Sequence, residues 1–288
     1  MSNLRDIKRR IKSVRNTSQI TKAMQMVASA KMRRAQELAL KGRAYISALA
    51  NVLRHLGSAI QEGGATLMER RETGRTLVVV VNTDKGLCGA LNANLLRDVL
   101  SRCPEDADYV TIGSKLRNIL SRLGRRVTHS FSVSDSMQEG VMKPVFEVIR
   151  AGFEEGRYNR VLVAYQKFIN VMVQRPQVTE LLPITPEELL AVAEQDDVED
   201  TDSGNFLLEP SPKALLAAIL PLYVSHLLVQ MVLEGKASEQ SARMVAMKSA
   251  TENAKSLIDR LTLEYNKARQ TQITNELLEI TTAMKAME

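Results

Sequence analysis

Tryptophan is missing from these 288 residues, aromatics make up only 4 % of them, and cysteine and histidine number 2 and 3. Scarce cysteine and histidine suggest neither a zinc site nor a disulfide framework. Cys88 and Cys103 stand apart from any partner motif, and a reducing, cytoplasmic compartment is the expectation. His55, His129 and His226 are scattered, each without a carboxylate at helical spacing, so neither a catalytic triad nor a metal cluster emerges. Glycine and proline are absent from Met1 through Lys41 and again after Gly235. With 13 methionines against so few aromatics, helix packing is favoured over a sandwich core.

What is present is charge, unevenly placed. Residues 1–43 hold twelve Lys or Arg against Asp6 and Glu37, while the whole chain is only +6. An acidic stretch, EELLAVAEQDDVEDTD at 187–202, reads as a solvated loop. The basic start has no apolar core of the secretory kind. The run ALLAAILPLYVSHLLVQMVL, 214–233, is long enough to span a membrane, but it contains Pro221, Ser225, His226 and Gln230 and lacks flanking basic bias, which favours a helix wrapped by protein.

Periodicity organises the two ends. Residues 3–56 read as one helix with a seam at Leu4, Ile7, Ile11 and Val14, expected to slip and resume at Ile20, Met24, Val27 and Lys31, with Thr21 and Ala28 beside it. From Pro212 a second helix carries a seam at Met244, Met247, Thr251, Ala254, Ile258, Leu261, Tyr265 and Ala268. It then shifts to Ile273, Leu277, Ile280, Met284 and Met287 on a rotated face. Between them, TLVVVVN (76–82) and DYVTIG (108–113), then RRVTHSF and RVLVAYQKF, alternate with amphipathic segments, as in a parallel sheet covered by helices. The stretch NVMVQRPQVTELLP suits an antiparallel partner of the last strand, and Pro176 suits an edge. The expected fold class is therefore α/β: a long antiparallel coiled coil of the terminal helices (1–56 and 212–288) with an inserted Rossmann-like domain (75–208).

The turn TDKGLCGALN follows the first strand where such folds cradle phosphates, yet it matches neither G-x-G-x-x-G nor G-x-x-x-x-G-K-[ST]. A structural turn is the better reading, with Cys88 packed rather than reactive. For the basic helix three partners stand open. Nucleic acid would want aromatics, but Tyr45 and Tyr109 are the only ones in the first 130 residues. A membrane surface would want Trp, Phe or Leu. An acidic protein surface is the third.

The blocks RRIKSVRNTSQITKAMQMVASAKMRRAQ, TDKGLCG and SEQSARMVAMKSATENAKSLIDRLTLEYNKARQTQITNELLEI, in this order, strongly resemble the γ subunit of F-type ATP synthases. That resemblance implies a central rotor shaft without cofactor or catalytic site. It would turn inside three α and three β subunits and couple ion-driven rotation of the membrane c-ring to ATP synthesis or hydrolysis, with the ε subunit at its foot. It implies β-subunit contacts at Lys22, Met24, Lys85, Arg243, Arg269, Gln270 and Thr274. An apolar bearing falls on Ile273, Leu277, Ile280 and Met284, and contacts to ring and ε fall on Phe206, Glu209 and Pro210. The implied location is peripheral, on the cytoplasmic face of a bacterial plasma (inner) membrane; with Met1 only a few residues before the helix, no transit peptide is expected. The sequence departs from the family in its last residues, where Lys285 and Glu288 replace small apolar ones, and it lacks the cysteine-bearing insertion of chloroplast forms, so thiol regulation is not expected.

Overall fold

The computed structural model describes residues 4–56, 66–133, 140–185, 209 and 211–287. In chain order its elements are helix α1 (Leu4–His55), a 3-10 turn (Thr66–Met68), β1 (Arg75–Val81), α2 (Leu91–Arg102), β2 (Asp108–Ile112), α3 (Lys115–Arg122), β3 (Arg126–Phe131), α4 (Lys143–Glu154), β4 (Tyr158–Phe168), β5 (Gln174–Leu182) and α5 (Pro212–Met287). Two units separate: Met1–Ser29 with Arg243–Glu288, and Ala30–Ala242.

The first unit is a pair of helices. Strong helix formers fill both segments, and neither has a glycine or proline here to interrupt it. On α5 the seam lies where its spacing predicts: Met247, Thr251, Ala254 and Leu261 are buried, and Met244, Ile258, Tyr265 and Ala268 are half-buried. On α1 the predicted slip does not occur, and this corrects the sequence reading. Ile20 and Val27 are exposed at 60 % and 54 %, and Lys31 is exposed too, whereas Ile7, Thr21 and Ala28 are buried and Ile11, Val14, Ser18 and Gln25 partly so. The three-four spacing thus runs on unbroken, with small and polar residues holding the seam where apolar ones were expected.

A hydrogen bond explains why. The hydroxyls of Thr21 and Thr251 meet at 2.7 Å, both side chains buried. Thr251 Oγ1 also lies 2.8 Å from the Met247 carbonyl, to which it can donate while accepting from Thr21. A buried hydroxyl without a partner is costly, so this pairing makes threonine tolerable at a seam position. It also fixes the antiparallel register, which carried along the pair brings Ile7 opposite Tyr265 and Leu4 opposite Ala268. Beyond Ala268 every described residue of α5 is exposed.

The second unit holds a five-stranded sheet in the order β3-β2-β1-β4-β5. Strands β1 to β4 are parallel, and β5 runs antiparallel to β4 at the edge that Pro176 indicated. Strand β1 is buried on both faces, hence its unbroken apolar run. Leu77, Val79 and Val81 join a core built with α1, α4 and the first part of α5, while Val78 and Val80 pack with α2 and α3. From Leu216 through Leu228, one side of α5 (Leu216, Leu220, Tyr223, Val224 and Leu228) fills that first core, so the membrane-length run is a core helix on this face.

Candidate functional site

The carboxyl end of β1 is where a doubly wound sheet binds its ligands, at the point where strand order reverses. Here β1 lies between β2 and β4, and residues 83–90 turn into α2. The turn is tied to the chain itself. Asn92 Nδ2 donates to Thr83 Oγ1 at 2.7 Å and, more weakly, to Cys88 Sγ at 3.7 Å. Asp84 accepts from the Ser114 amide at 3.0 Å through one oxygen and from Ser132 Oγ at 3.1 Å through the other. Asn82 Oδ1 accepts from the Leu116 amide at 3.2 Å, while its Nδ2 donates to the Gly113 carbonyl. Amides at the start of α3 that could greet a phosphate are thus already met by a carboxylate and a carboxamide of the chain.

The same end of the sheet is covered by α5. A Cβ on Gly235 would lie 2.9 Å from Val81 Cγ1, so only a glycine lets the helix approach the strand this closely. From Gln230 to Ser241 the helix is buried on almost every side, Glu234 being the one half-buried residue. Ser238 Oγ donates to the Gln166 carbonyl at 2.9 Å, and Ser241 Oγ donates to the Val171 carbonyl at 2.7 Å. A serine hydroxyl inside a helix usually turns back on its own backbone, so these bonds to β4 and the β4–β5 turn were not legible from sequence.

The residues singled out by sequence take distinct environments. Lys85 is exposed in the turn, next to exposed Leu87, whose φ of 64° is a left-handed value uncommon for leucine. In the helical unit, Lys22 is exposed and Met24 half-buried. Arg243 is buried, with 8 % exposed. Arg269, Gln270 and Thr274 are all exposed, with Thr274 Oγ1 donating to the Gln270 carbonyl at 2.9 Å. Ile273, Leu277, Ile280 and Met284 are exposed at 44, 57, 57 and 65 %. Their three-four spacing lines them along one face, rotated from the seam by between one and two residues. Glu209 is exposed just before α5, while Phe206 and Pro210 lie outside the described residues.

Burial sets the titration behaviour of several groups. Desolvation, helped by Asp98, pushes the Cys103 thiol up to about 11. Tyr165 is pushed up to about 12, first by burial and then by Glu234. Burial lowers His226, whose ring lies 4.3 Å from that of Tyr45. Both cysteines are buried and unbridged, and no group of three or more potential metal-ligating residues occurs among the described residues.

A family model described as ATP synthase matches residues 3–287. The ATP synthase gamma chain of Akkermansia muciniphila is 59 % identical over 291 residues, covering 100 % of both chains. The chain belongs to this family. The gamma chain of Methylacidiphilum infernorum is 43 % identical, again over 100 % of each. Among solved structures, a chain of the rotor of Euglena gracilis mitochondrial ATP synthase aligns with a TM-score of 0.64 at 22 % identity, covering 94 % of this chain and 98 % of that one. That likeness extends to the fold: paired terminal helices with an α/β domain between them.

Proposed function

We propose that the chain is the central shaft of a rotary F-type ATP synthase and performs no chemistry of its own. The observation that carries this reading is the exposed, heptad-spaced apolar face of α5 beyond Ala268, continuous with a helix pair that holds itself together. Residues 269–287 would extend about 28 Å as a single helix. Four large apolar side chains on one face of so long an unpartnered helix suit enclosure by a surrounding protein.

In this reading Ile273, Leu277, Ile280 and Met284 turn within an apolar collar formed by the three α and three β subunits. Non-directional contact resists sliding little, since no hydrogen bonds need break. Arg269, Gln270 and Thr274 form a polar catch on a β subunit, and Lys22, Met24 and Lys85 meet the moving part of β. Arg243, being enclosed, supports that region from within. Phe206, Glu209 and Pro210 meet the ε subunit and the c-ring, through which alone the chain touches the membrane.

Coupling works as a population shift. An asymmetric shaft makes different contacts with each β subunit and so favours a different state in each. Linkage then requires that nucleotide state bias shaft angle in return. The finer placement, the cytoplasmic face of a bacterial plasma membrane, is supported by two buried, unbridged cysteines, as suits a reducing compartment.

Reconstitution tests the reading. Alone, the chain should hydrolyse no ATP; added to α and β subunits it should restore ATPase activity. In that complex Arg269→Ala with Gln270→Ala should lower turnover while subunits still co-purify. Hydrolysis by the isolated chain, or none gained by the mixture, would overturn it.

A further inference from the structure

The geometry points to Ser238 and Ser241 as the residues that lock α5 against rotation where it crosses the α/β domain, so that twist is delivered to the domain rather than lost as slippage. This rests on the shaft reading and says where the torque enters. Apolar packing is non-directional and grips a cylinder only through its shape. Hydrogen bonds are directional and weaken steeply when the helix turns. The two hydroxyls stand three residues apart on one face of α5, and both are fully buried. Ser238 donates to the Gln166 carbonyl at 2.9 Å, at the end of β4. Ser241 donates to the Val171 carbonyl at 2.7 Å in the following turn, and Gln174 Nε2 reaches Ser241 Oγ at 3.4 Å.

The tie continues into the sheet. Gln166 Nε2 donates to the Leu91 carbonyl at 2.9 Å, at the start of α2. One chain of bonds therefore runs from α5 through β4 to α2. Rotating α5 by one residue's worth, about 100°, would remove both serines from their acceptors and bury the freed groups unpaired. These bonds add a directional setting to the one that the buried face of α5 and the close approach of Gly235 to Val81 already impose.

The test uses the complete membrane-bound complex carrying Ser238→Ala with Ser241→Ala. ATP hydrolysis without a gradient should stay within about twofold of wild type, while coupling ions pumped per ATP fall at least about threefold against a rising gradient. A second variant, Val171→Cys with Ser241→Cys in the Ser238→Ala background, is chosen to place a reducible tie beside the same contact, its closure under oxidation read from the loss of free thiols. Its pumping per ATP should be at least about twofold higher oxidised than reduced, in the same assembled protein. Unchanged pumping per ATP in the alanine variant, or no difference between oxidised and reduced forms of the cysteine variant, overturns the lock. A wild-type chain that restores no ATPase or pumping would instead overturn the shaft reading itself.

Discussion

Replacing Gly235 by alanine sets two known effects against each other. In an open helix interior the change should stabilise by about 1 kcal/mol, through helix propensity. Here the new Cβ would stand 2.9 Å from Val81 Cγ1, a distance real Cβ contacts do not tolerate. Val81 is 4 % exposed on the central strand, and its β-branched side chain has few rotamers to which it can move. Overpacking of that kind costs about 1–3 kcal/mol. The net expectation is destabilisation by about 1 kcal/mol, with a lowering of the melting temperature of roughly 2–4 °C for a domain of this size. Val81→Ala alone should also destabilise, by about 1–3 kcal/mol for its lost methyls. The double variant should be more stable than the sum of the singles by about 1 kcal/mol, since the new methyl enters space that valine vacated. Denaturant unfolding followed by circular dichroism measures all four corners of this cycle. A stabilised Gly235→Ala chain, or additive singles, would refute the close approach of α5 to β1.

The seam hydroxyls give a second cycle: Thr21→Val alone should cost about 0.5–1.5 kcal/mol by removing the bond between the helices, with Thr251 still held by the Met247 carbonyl, and the pair Thr21→Val with Thr251→Val less than the sum of the singles, read from unfolding midpoints. Gly113→Ala should destabilise by at least about 2 kcal/mol, because its φ is 106° and a Cβ would lie within reach of the Asn82 carbonyl oxygen, measurable as a lowered melting temperature. Cys103, pushed up to about 11 by burial, stays protonated while an unfolded thiol ionises. The folded chain then holds more protons, and its stability should decline as pH rises from about 9 to 11, checked by thiolate absorbance and melting at each pH. His226, lowered by burial, gives the opposite sign on the acid side: the unfolded imidazole takes a proton first as pH falls below about 6.5, so stability should drop there, followed by NMR titration of its ring.

Strands and seams with a strong period were open to sequence reasoning. β1 is apolar from Leu77 to Val81 because both its faces are covered there, and the α5 seam repeats in threes and fours from Met244 to Ala268. The α1 seam misled because a rule based on apolarity follows Ile20 and Val27, while Ser18, Thr21 and Gln25 hold the contact. Their place there depends on a cross-helix hydroxyl pair some 230 positions distant in sequence. The exposure of Ile273 and its neighbours has the converse origin. The residues carry the signal, but only the structure shows that among the described residues no side chain covers them. The role of Ser238 and Ser241 was hidden for a third reason: their acceptors are backbone carbonyls, which every sequence contains.

Small side chains at Ser18, Thr21, Ala28, Thr251 and Ala254 also set how slender the helix pair is. Interaxial distances range over about 8–10 Å with the side chains between, and these belong at the short end. A narrow spindle leaves room for a surrounding ring of subunits to close tightly without seizing it. Leucines in those places would knit the pair more firmly and thicken the axle until its bore no longer fitted.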